Sequence, residues 1–125
     1  MPYYEVLKAP WTTHVLIDET APVGDLYFGV EITAEPLANP SSSVAVIHTL
    51  RNGTLPEPLV DVLLEALHEE IEGGGQYGFP LINIRLAVTA VEYRETTSNE
   101  NAIRLAASKA FQNFLVSADL VLITT

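Results

Sequence analysis

Residues 78–111 read GFPLINIRLAVTAVEYRETTSNENAIRLAASKAF. Leu81 to Val91 is predicted to be a long apolar-rich strand, Glu92 to Ser98 a polar turn, and Asn99 to Phe111 an alanine-rich amphipathic helix. Thr97 and Glu100 have the spacing of a capping box at that helix's start. Ala102, Ile103, Ala106, Ala107, Ala110, Phe111 and Phe114 share one helical face. Its small alanines suit close approach to a sheet. A strand running into such a helix needs partner strands and an apolar layer to cover, so the rest of the chain has to supply both.

Upstream, Pro2–Lys8, Thr12–Thr20, Leu26–Glu35 and Val44–Leu50 alternate or concentrate apolar residues as strands do. In the third of these, Phe28, Val30, Ile32 and Ala34 fall on one face. Ala21–Asp25, Pro36–Ser43 and Asn52-Gly53 carry turn and loop chemistry. A first helix follows. Thr54 and Glu57 form a second capping-box pattern, and Pro56 and Pro58 are compatible only with a first turn. Leu59, Leu63, Leu67 and Ile71 recur every four residues, widened by Val60, Leu64 and Ala66, and Gly73-Gly74-Gly75 ends the helix. Glu69, Glu70 and Glu72 sit at its C-terminal end, where the helix dipole disfavours anions. Leu120–Ile123 closes the chain as an apolar strand. The order β-β-β-β-α-β-α-β predicts an α+β fold, a mainly antiparallel sheet with two helices on one face.

The 125 residues are expected to form a single domain, 1–125, large enough for a core without staples. The absence of cysteine excludes disulfides, thiolate nucleophiles and Cys-based metal sites. No apolar run reaches the ~20 residues of a membrane-spanning helix, and MPYYEVLKAPWTTH lacks a signal-peptide layout. A soluble, cytoplasmic protein without membrane contact is expected. The net charge is −10, and the six basic residues, Lys8, Arg51, Arg85, Arg94, Arg104 and Lys109, are dispersed. Such a chain lacks the clustered cations of a general nucleic-acid grip.

Patterns for chemistry are missing. His14, His48 and His68 show no metal-ligand spacing, and adjacent carboxylates such as Asp18-Glu19 and Glu69-Glu70 read as solvated surface. The triglycine follows a helix, whereas a phosphate loop lies between a strand and a helix, and no GxxxxGK[ST] occurs. No serine lies in a nucleophile-elbow context. A non-enzymatic protein with neither cofactor nor metal is expected. The Glu92–Ser98 turn is the exception of interest: a loop between a strand and a helix is where a rigid scaffold presents contacts to a partner.

At this turn the chain resembles a known family. Gly78-Phe79-Pro80-Leu81-Ile82-Asn83-Ile84-Arg85-Leu86 resembles the Gly-Tyr/Phe-Pro-Val-Val-Asp-Val-Lys-Val run of domain IV of translation elongation factor G. Tyr93, Ser98, Glu100, Ala102, Ala106-Ala107-Ser108 and Ala110-Phe111 fall where that domain has the same residues, without a gap. Asn52-Gly53-Thr54-Leu55-Pro56 is similar to the run opening its first helix, and Glu35-Pro36-Leu37 to the end of an earlier strand. The resemblance implies a left-handed βαβ crossover and a module that projects from a GTPase towards the small-subunit decoding region during translocation. The partners implied are ribosomal RNA and the tRNA–mRNA pair, met through two tip loops: Val23, Gly24, Asp25 and Tyr27 in one, Tyr93, Arg94, Glu95, Thr97 and Ser98 in the other.

The departures fall on those loops. The family's first tip, Gly-Gly-Arg-Gly-Gln-Tyr-Gly, corresponds to Pro22-Val23-Gly24-Asp25-Leu26-Tyr27-Phe28, which keeps only the tyrosine. The second, Tyr-His-Asp-Val-Asp, corresponds to Tyr93-Arg94-Glu95-Thr96-Thr97, with arginine at the histidine position. Asp18–Asp25 contains Asp18, Glu19 and Asp25 and no cation, while Glu92–Glu100 sets Glu92, Glu95 and Glu100 against Arg94. Net-negative tips oppose independent binding to phosphates. A stand-alone module that offers an acidic surface to a basic protein partner is the alternative.

Overall fold

The computed structural model describes residues 2–20, 24–37 and 43–124. Its strands are β1 (Tyr3–Leu7), β2 (Trp11–Glu19), β3 (Leu26–Pro36), β4 (Val44–His48), β5 (Ile84–Glu92) and β6 (Leu120–Thr124). Its helices are α1 (Glu57–Glu72) and α2 (Glu100–Ser117). The strands form two sheets: β1 pairs antiparallel with β6, and a four-stranded sheet has the order β2-β3-β5-β4. β3 pairs antiparallel with both β2 and β5, whereas β4 and β5 are parallel and joined through α1 as a βαβ crossover. The α+β class is as expected; the division of the strands into two sheets was not anticipated.

Asn83 explains that division. Its φ is +60°, a left-handed conformation that asparagine tolerates better than most residues. The expected strand Leu81–Val91 therefore breaks here. Before it, Leu81 bridges Glu5 of β1, and Ile82 N–H donates to the Glu5 carbonyl at 3.1 Å. After it, Ile84 enters the four-stranded sheet opposite Pro36 and Val44. One apolar run thus serves two sheets.

The core lies between the four-stranded sheet and the helices. Ile17, Phe28, Val30, Ile32, Ala34, Leu86 and Val88 are buried from the sheet side. The seven residues predicted for the α2 face are all buried, and the helix packs on α1, β2 and β3. Trp11 packs edge-on against Phe114 at 5.0 Å, and its indole N–H donates to Ser117. α1 buries Val60, Leu63, Ala66 and Leu67 and packs on α2 and β4, with Leu59, Leu64 and Ile71 half-buried beside them. Such burial contributes ~1.5–3 kcal/mol for each large apolar side chain.

Both predicted capping boxes are corrected. The α1 N-cap is Pro56, whose side chain has no acceptor to offer, and Pro58 in the first turn removes one N–H that would otherwise need one. The α2 N-cap is Asn99, whose side chain accepts from Ala102 N–H at 2.9 Å. Thr97 lies two residues too early, and its hydroxyl is buried without a hydrogen-bond partner. The triglycine does end α1: Gly73 is its C-cap, and Gly74 turns the chain with φ +87°.

Candidate functional site

The antiparallel register places two loops at one end of the four-stranded sheet. Glu19 pairs with Leu26 beside the β2–β3 connection, and Gly29 pairs with Glu92 where β5 gives way to the β5–α2 loop. Two hydrogen bonds tie the connections together. Tyr27 N–H donates to the Thr97 carbonyl at 3.0 Å, and Ser98 Oγ donates to the Tyr27 carbonyl at 2.6 Å. Ser98 is buried, and its hydroxyl also accepts from Arg94 N–H at 2.8 Å. The second loop is closed by Thr97 and Ser98 N–H groups donating to the Arg94 carbonyl.

Above this backbone frame, the Arg94 guanidinium stacks on the Tyr27 ring at 3.6 Å from the centroid. The Tyr27 hydroxyl donates to Glu92 Oε2 at 2.6 Å. That hydrogen bond, aided by burial and the nearby carboxylate charge, raises the Tyr27 pKa above its ordinary 10.0, while Arg94 opposes the rise. The arrangement is a cation held flat on an aromatic face, with a carboxylate anchoring the ring. It can grip a partner by charge and stacking.

The predicted tip residues divide by exposure. Gly24, Asp25, Arg94 and Glu95 are exposed, while Tyr27 and Ser98 are buried and Tyr93 packs half-buried against the core. Thr97 supplies a backbone carbonyl to the joint and keeps its side chain inward. Val23 lies outside the described residues. Glu92 was not among the predicted site residues. Its role is set by the pairing of β5 with β3, which local pattern does not reveal, although a strand-end carboxylate beside Tyr93-Arg94 is a usable hint.

Among the described residues no group of three or more His, Cys, Asp or Glu side chains is placed to hold a metal. No helix there is long and apolar enough to cross a membrane.

A profile of the family described as elongation factor G, domain IV, matches residues 2–119. The chain belongs to that family. A crystal structure from Thermus thermophilus superposes with a TM-score of 0.77 at 25% sequence identity, covering 97% of this chain. The present chain spans 18% of that longer chain. The described ends of both connections lie at one end of the same sheet, so residues over 60 positions apart in sequence meet there. There Tyr27 is the platform over which the Arg94 guanidinium lies.

Proposed function

We propose that this chain acts as an elongation factor G domain-IV-like module, a unit over residues 1–125 that contacts the decoding region of the small ribosomal subunit during translocation. It works by shape and placement, without chemistry of its own. The observation that supports this reading is the joining of Tyr27 to the 94–98 loop by the Ser98 hydrogen bond and the Arg94–Tyr27 stack. Arg94 supplies a permanent planar cation suited to phosphate or to an unstacked base. Gly24, Asp25 and Glu95 form the exposed rim beside it.

Salt-dependent co-sedimentation with small ribosomal subunits tests the proposal. At low salt the domain is expected to pellet with subunits, and Arg94→Glu is expected to reduce the pelleted fraction severalfold. Pelleting unchanged by that charge reversal removes the loop from the site.

A second reading is a module for a basic protein partner. It is favoured by the acidity of α1, where Glu57, Asp61, Glu65, Glu69, Glu70 and Glu72 occur without a lysine or arginine. Arg104 of α2, at 3.3 Å from both Glu69 and Glu100, offsets only part of that charge. Absence of ribosome association at low salt, with retention of a basic protein ligand, selects this reading.

A further inference from the structure

The helices cover one face of the four-stranded sheet; the other face carries a depression of about 190 Å³. Two neighbouring rungs build it. Leu16, Gly29 and Glu92 align on one rung, and His14, Glu31 and Ala90 on the next. On β3 and β5 large and small residues alternate diagonally, so Gly29 and Ala90 leave a hollow between the carboxylates of Glu31 and Glu92. Glu31 and Glu92 are diagonal cross-strand neighbours, a relation with about 7–8 Å between positions, within reach of one cationic head. Leu16 stands beside the hollow with 55% of its surface exposed.

Both carboxylates are already oriented. Glu31 is held by the Thr89 hydroxyl at 2.6 Å and by His14 Nε2 at 2.8 Å. Glu92 is held by the Tyr27 hydroxyl. Side chains fixed in advance lose little further freedom on binding. The hollow is smaller than the ~300–1,000 Å³ typical of pockets for small-molecule ligands and cofactors. Its apolar floor and acid corners match a single long side chain with an aliphatic stem and a cationic head.

We propose that this sheet face docks a basic protein surface by receiving one arginine side chain between Glu31 and Glu92, its stem lying on Leu16, Gly29 and Ala90. Arginine is preferred over lysine because its planar, weakly hydrated guanidinium can bridge two fixed carboxylates. The two acids and a net charge of −10 favour a basic protein surface over nucleic acid. This docking is independent of whether the tip loops engage the ribosome.

The test is an NMR titration of the isotope-labelled chain with a capped alanine-rich peptide carrying one arginine, and with the same peptide carrying neutral citrulline. Saturable amide shifts are expected at Leu16, Gly29, Glu31, Ala90 and Glu92, with affinity about tenfold or more weaker for citrulline. Glu31→Gln combined with Glu92→Gln should abolish them. Ala90→Leu, which fills the hollow from an exposed position, should do the same while α2 and core signals stay in place. Four outcomes overturn the proposal: no saturable shift at these residues, equal binding of citrulline, shifts spread over the acidic α1 surface, or binding unchanged by Ala90→Leu. Groove shifts produced only by a short single-stranded RNA assign the face to nucleic acid. Groove shifts produced only by raising the protein concentration assign it to a second copy. Because no ribosome is present, failure here leaves the tip-loop function standing.

Discussion

Ser98 Oγ donates a 2.6 Å hydrogen bond to the carbonyl of Tyr27, 71 residues away. That single buried hydroxyl joins the β2–β3 and β5–α2 connections and also receives the Arg94 N–H. Ser98→Ala leaves a carbonyl and an N–H without their partner, and is expected to destabilise the fold by about 1–3 kcal/mol. Urea unfolding followed by circular dichroism measures the loss. Hydrogen exchange should show faster exchange at Arg94 and Tyr27 with little change in α1. Unaltered exchange at both amides would show that the loops are held together by other contacts.

The phenol of Tyr27 gives the tip a pH dependence. Its folded-state pKa is raised above 10.0, chiefly by the hydrogen bond to Glu92. The protonated phenol is the form the fold favours, so this contribution is fully present below the ordinary tyrosine pKa. It is lost as pH rises through the higher folded value. NMR titration should find Tyr27 ionising above the ordinary tyrosine value of 10.0. Glu92→Gln removes the carboxylate charge and should bring the Tyr27 midpoint down. A midpoint that Glu92→Gln leaves in place rules out that hydrogen bond as the cause.

The start of α2 separates the true cap from its neighbour. Asn99→Ala removes an acceptor for Ala102 N–H and should cost about 1 kcal/mol. Thr97→Val replaces a buried, unpartnered hydroxyl by a methyl group and should be neutral or stabilising. Thr54→Ala should be close to neutral, because no side chain caps α1. Thermal unfolding of the three variants checks the order, and a larger loss for Thr97→Val than for Asn99→Ala would contradict the observed cap.

Glu5 anchors the loop after α1 from the other end of the chain. Its carboxylate is fully buried, and Oε2 accepts from Tyr77 and Phe79 N–H at 3.0 Å each, while Oε1 has no partner. A Cβ at Gly75 would overlap that carboxyl group. Gly75→Ala should therefore destabilise by about 2–3 kcal/mol or more. Glu5→Ala strands two N–H groups and should cost on the order of 2–4 kcal/mol. In the double variant the losses should be markedly less than additive, because the clash disappears with the carboxylate. Strict additivity in a denaturation cycle would mean that the two sites are uncoupled.

Periodicity was enough to define α2, because a helix buried on one face must repeat its apolar residues every three to four positions, and Ala102 to Phe114 do so. The same holds for Phe28, Val30, Ile32 and Ala34, whose alternation is the pleat of a half-buried strand. The Gly78–Leu86 run and the Ala-Ala-Ser helix also sufficed to indicate the family, since they combine a turn, a strand and close helix packing in one order. Local sequence did not disclose the break at Asn83, because an asparagine inside an apolar run shows its backbone angle only when both flanks find different partner strands.

Tertiary structure alone placed Glu92 under Tyr27, Arg94 over its ring, and Glu5 against Gly75. The partners in each of these pairs are far apart in the chain, and strand register decides which side chains meet across such a separation. A shift by one residue would turn the same side chains to the opposite face. The candidate hollow between Glu31 and Glu92 has the same origin: it exists because Gly29 and Ala90 fall on adjacent rungs of one sheet face.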